Sequence, residues 1–108
     1  MAMSHANSGE ALDIRPLGAG LSASQTVALF KSKNLEVMRL VLPAGKGMPM
    51  HSVQGDITLQ CMEGSIALAV DGQNKELRAG QLMYLSGGVP HSLTAVADAS
   101  VLVTIALC

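Results

Sequence analysis

Gly64, Gly72, Gly80 and Gly88 recur every eight residues, and the stretches between them, SIALAV, NKELR and QLMYLS, leave no room for a helix with a turn at each end. Turn signals at that interval, separating short apolar runs, predict an all-β sandwich or barrel. Asp71-Gly72 between two such runs is a hairpin turn of the type that needs positive φ. Upstream, QTVALF and LEVMRLVL flank KSKN as a second hairpin, and SVLVTIAL near the end is too rich in β-branched residues to favour a helix. Seven to nine strands and no helix are expected.

One core has to serve the whole chain, because 108 residues divided in two would leave each part below the size at which burial offsets chain entropy. With 49% hydrophobic and only 14% charged residues, material for that core is ample. In LEVMRLVL the apolar residues Val37, Met38, Leu40, Val41 and Leu42 occupy both faces, so this strand is expected to be covered twice, by the barrel and by a second layer or subunit. The polar residues 1–10 read as a disordered arm, residues 11–24 as an extended lead-in, and residues 11–108 as the barrel domain.

Several function classes are disfavoured by composition. The net charge is −1 and the seven Lys and Arg are scattered, which argues against nucleic acid. The aromatic residues are Phe30 and Tyr84, so no stacking platform exists for bases or sugars. Nothing resembles a signal peptide and no apolar run is long enough to span a bilayer, so the expectation is a cytoplasmic protein without a membrane partner. Cys61 and Cys108 have neither metal-site nor disulfide-framework spacing and read as free thiols.

The chemistry-bearing residues concentrate in two places. In the first, Gly45 is followed after five residues by His51, then by Val53, Ile57 and, six residues further on, Gly64. In the second, Gly80 leads to Ser86, Gly88, His91 and Ala95. These spacings resemble the two motifs of the cupin superfamily, G-x5-H-x-H-x3–4-E-x6-G and G-x5-P-x-G-x2-H-x3-N. The framework glycines and one histidine of each motif stand in place. Val53 takes the slot of the second histidine, Ile57 that of the glutamate, Ser86 that of the proline and Ala95 that of the asparagine.

The resemblance implies a single RmlC-like jelly-roll β-barrel with degenerate metal-binding motifs, in which His51 and His91 face each other across the barrel mouth. It also implies pairing into a homodimer, in line with the low charge content. A complete site of this kind uses three histidines and a carboxylate, and two imidazoles fall short of the three protein ligands that catalytic zinc or non-haem iron ordinarily takes. Any divalent ion, whether Zn, Ni, Fe or Mn, is therefore expected to be held weakly by His51 and His91. Asp56 adjoins the glutamate slot but has the wrong strand parity, and Glu63 reads as part of a turn. Met48 and Met50 offer soft thioethers beside His51, although methionine in such places commonly fills gaps. His5 lies in the polar arm and carries no role.

Val53 and Ile57 turn a hydrated metal cage into an apolar pocket with two imidazoles at its rim, suited to a small apolar or amphipathic ligand. Tyr84 and Cys61, the latter sharing the parity of Ile57, are added to the expected lining. The leading expectation is a small-ligand-binding domain. Two enzyme readings stay open beside it: a metal-dependent oxygenase or isomerase completing its sphere with water, and a metal-free isomerase or epimerase with one imidazole as acid and the other as base.

Overall fold

The computed structural model describes residues 5–107. Seven strands follow one another: β1 Val27–Lys31, β2 Leu35–Leu42, β3 Gly47–His51, β4 Ile57–Val70, β5 Gln73–Arg78, β6 Leu82–Leu85 and β7 His91–Ala106. All pair antiparallel, in the order β1-β2-β7-β4-β5, with β3 added to β7 and β6 added to β4. No helix among the described residues is long and apolar enough to cross a membrane.

The long strands β4 and β7 form the spine. Residues 57–61 of β4 pair with residues 101–105 of β7 between β2 and β6, whereas residues 65–70 pair with residues 91–97 between β3 and β5. The two halves thus belong to two layers, and the shared strands turn from one layer to the other where the register slips, between Cys61 and Ile66. Such a slip moves every later side chain to the opposite face. Ile57, Leu59 and Cys61 are buried before it, and Ile66, Leu68 and Val70 after it, so both halves of β4 feed one core.

Gly64 makes this bend feasible. Its φ is +74°, and a Cβ there would run into the carbonyl oxygen of Asp98 on β7, so both conformation and close approach demand glycine. The Asp71-Gly72 hairpin forms as its sequence requires, with positive φ at both residues.

The two-faced strand β2 buries Arg39, Leu40, Val41 and Leu42 in succession. Leu40 and Leu42 belong to the core inside the barrel. On the outer face, the Val41 N–H donates to Thr26 Oγ1 at 2.9 Å and Arg39 Nη2 to the Arg15 carbonyl at 3.0 Å, so part of the second covering layer comes from this chain's own residues 15–26.

That stretch departs from the expected extended lead-in. Gly18–Ala23 form a 3-10 helix whose Leu21 is buried. Glu63 explains the difference: it lies within β4 at the register slip, not in a turn, and its carboxylate accepts the N–H groups of Leu17 at 2.7 Å and Gly18 at 2.9 Å. Of the segment read as an arm, residues 1–4 lie outside the described residues, and the Ala6 N–H donates to the Leu29 carbonyl at 2.9 Å.

Candidate functional site

Two loops carry the two motifs to the same end of the barrel. The Gly88 N–H donates to the Val53 carbonyl at 2.7 Å, and the Gly87 N–H to Asp56 Oδ1 at 2.9 Å. These bonds join the turn before β7 to the turn before β4 without using any metal ligand. The framework spacing therefore has a structural purpose that outlasts the loss of the ligands. They also assign Asp56: its carboxylate holds the Gly87 turn.

Beside these loops, β3 lies antiparallel on β7 with His51 opposite His91. The strands approach closely because of Gly47, where a Cβ would collide with the carbonyl of Leu93. The two imidazole centroids are 4.5 Å apart and their planes are inclined at 54°. His91 is buried and His51 half-buried.

Each ring is held the same way. His51 Nδ1 is 3.0 Å from the Pro49 carbonyl, and His91 Nδ1 is 3.0 Å from the Val89 carbonyl, in both cases two residues earlier in the chain. A carbonyl only accepts, so each Nδ1 carries the proton and donates. In the neutral rings Nε2 is then the acceptor nitrogen on both histidines.

The histidines border a cavity of about 50 Å³ whose other walls are apolar, with Val53 and Ile57 on one side and Met38, Met48, Leu93 and Ile105 among the rest. The structure thus brings together four of the residues singled out from sequence: His51, His91, Val53 and Ile57. It places the other two elsewhere. Tyr84 does not line this cavity; it is 59% exposed on β6, with its hydroxyl 3.2 Å from Ser86 Oγ. Cys61 points inward but lies deeper along β4, fully buried against the carbonyls of Glu63 and Gly64. Burial pushes its thiol pKa up, which keeps it protonated and unreactive. Cys108 is outside the described residues.

A resident divalent metal does not fit this donor set. Among the described residues no group of three or more His, Cys, Asp or Glu is placed to hold an ion. Where two further ligands would stand, Val53 and Ile57 present only hydrocarbon.

Sequence reasoning missed a polar cluster on the outside of the barrel. Glu63 accepts from Ser100 Oγ as well as from Leu17 and Gly18, and Ser100 is completely buried. Burial would raise the Glu63 pKa, but these three hydrogen bonds and the nearby Arg39 charge outweigh it and hold the carboxyl below its ordinary range. Arg39 itself is 94% buried, being 6% exposed. The available signal was a charged or hydroxyl residue inside an apolar strand, as in VMRLVL and ASVLV.

The family model for the cupin domain matches residues 38–107, most of the chain and all of the site. The chain belongs to the cupin family. Among solved structures, this cupin is similar to a conserved protein of unknown function from Streptococcus pyogenes, at 22% identity over 100% of this chain and 98% of that one, with a TM-score of 0.77. It is also similar to an RmlC-like cupin from Desulfovibrio desulfuricans, at 27% identity over 96% of both chains and a TM-score of 0.68. A salicylate 1,2-dioxygenase variant from Pseudoaminobacter salicylatoxidans shares the fold at 20% identity and a TM-score of 0.69, covering 74% of this cupin and 25% of the larger chain. No curated protein matches in sequence.

Proposed function

We propose that this cupin is a small-ligand-binding domain, in which His51 and His91 orient the polar end of a small apolar or amphipathic molecule inside the barrel. The observation that carries this reading is the pair of Nδ1–H bonds to the Pro49 and Val89 carbonyls, which leaves two Nε2 acceptors beside an otherwise apolar cavity. Two neutral acceptors call for a ligand with a hydroxyl or N–H donor. At about 50 Å³ the cavity is smaller than the roughly 150 Å³ that accommodates benzene in a dry protein interior, so the ligand has few heavy atoms or displaces the flexible Met38 and Met48.

Nitrogen-15 NMR of the imidazoles tests this directly. In their neutral form both rings should show Nδ1–H with an unprotonated Nε2, and small alcohols should shift the Nε2 resonances more than hydrocarbons of equal size. Rings in the Nε2–H form, or alcohols and hydrocarbons acting alike, would overturn the reading.

The acid–base enzyme is the second reading, favoured by the 4.5 Å separation of the rings. It requires one ring protonated on both nitrogens as the acid and the other neutral as the base, and therefore a bell-shaped pH profile. Metal, on either reading, would be held weakly, with water or substrate completing its sphere. We propose that the protein is cytoplasmic and pairs as a homodimer, the pairing supported by the low charge content and by exposed Leu82, Tyr84 and Val96. Sedimentation giving a monomer at micromolar concentration would refute the dimer.

A further inference from the structure

A second, larger recess lies on the other side of β2. Met38 and Leu40 face the barrel cavity, while Arg39 between them faces an open cleft of about 820 Å³ formed with β1 and the N-terminal segment. Leu12, Val27 and Leu29 provide apolar wall, and Asp13, Gln25 and Thr26 polar wall. Nothing in this cleft depends on the histidine pair.

Arg39 is the anomaly there. A guanidinium buried to this extent is ordinarily paired with an anion, because desolvation of an uncompensated charge is costly. The ion pairs among the described residues are Arg15 with Asp13 and Arg78 with Glu76, and neither includes Arg39. Its Nη2 donates to the Arg15 carbonyl, while its buried Nε–H has no hydrogen-bond partner among the described residues. The nearby carboxylates are committed elsewhere: Asp13 to Arg15 at 2.6 Å, and Glu63 to Leu17, Gly18 and Ser100.

We infer that this cleft is a binding site for a small amphiphilic carboxylate, with Arg39 as its counter-charge and the leucine and valine walls around its hydrocarbon part. A carboxylate presents two oxygens in one plane, which suits the planar fork of the guanidinium that Arg39 contributes to the cleft wall. The leucine and valine part of the lining offers a hydrocarbon chain surface that a purely polar anion such as phosphate cannot use.

The test is titration of the protein with hexanoate, with 1-hexanol and phosphate as controls, followed by methyl NMR and calorimetry. Hexanoate should bind saturably and shift the methyls of Leu12, Val27 and Leu29, whereas hexanol and phosphate bind far more weakly. Arg39→Met should reduce hexanoate affinity about tenfold or more, the equivalent of one charge-assisted hydrogen bond, and leave hexanol unchanged. If that variant does not fold, Ala28→Glu, on the wall of the same cleft, should repel hexanoate to a similar extent. Equal binding of hexanoate and hexanol, undiminished binding in the variants, or shifts at His51 and His91 in place of the cleft methyls would overturn the inference.

Discussion

Replacing Glu63 by glutamine should weaken the attachment of the N-terminal segment while preserving side-chain shape. Oε2 accepts from the Leu17 N–H and Ser100 Oγ, and Oε1 from the Gly18 N–H. A glutamine has one oxygen and one NH2, so at least one backbone N–H must face another donor, and the remaining bonds lose their charge assistance. Hydrogen bonds to a charged acceptor contribute about 1.5–3 kcal/mol and neutral ones about 0.5–1.5, so a loss of about 2–3 kcal/mol is expected. For a domain of this size that corresponds to a drop of roughly 10–15 °C in Tm. Acid should reveal the same contact. The folded pKa of Glu63 is depressed below the 4.5 of a free carboxyl, so its contribution is complete above pH 4.5 and is lost as pH falls through the folded value. Denaturant unfolding of parent and Glu63→Gln between neutral pH and the acid range should therefore give curves that converge below pH 4.5. A loss under about 0.5 kcal/mol, within the range of ordinary surface substitutions, or a constant gap at every pH, would refute the assignment of Glu63 as the anchor.

Restoring donors by Val53→His with Ile57→Glu should raise divalent-metal affinity greatly and make the metal-free protein less stable, because a carboxylate then sits uncompensated in the core; calorimetry with Zn and thermal melts check both. Tight stoichiometric metal in the unmodified protein after extensive dialysis would contradict the weak-donor argument. Gly64→Ala should cost more than about 3 kcal/mol, measured by urea unfolding, since it combines a disfavoured φ with a backbone collision against Asp98. Exchanging the exposed Tyr84 for Phe should leave ligand binding by the barrel unchanged, because its hydroxyl meets Ser86 and not the cavity.

The sequence by itself determined the barrel and the histidine pair. Both rest on local requirements written at fixed intervals: glycines where φ must be positive, and motif loops whose backbone bonds from Gly87 and Gly88 to Asp56 and Val53 close the barrel mouth. Motif position also sufficed for Val53 and Ile57, which lie close to His51 along the chain, whereas strand parity served less well. It failed for Cys61, because parity gives the face but not the depth along a fourteen-residue strand. It failed again for Glu63, because the register slip around Gly64 is a property of the pairing of β4 with β7 and leaves no periodic trace. Only the tertiary structure could decide the outer surface of the barrel. Leu17 and Ser100 meet Glu63 from 46 and 37 residues away, and Arg15 covers Arg39 from 24 residues away. Whether a charged residue in an apolar strand is solvated or buried depends on where the chain returns, and that is set by the packing of residues 15–26 on β2, not by any pattern within β2 itself.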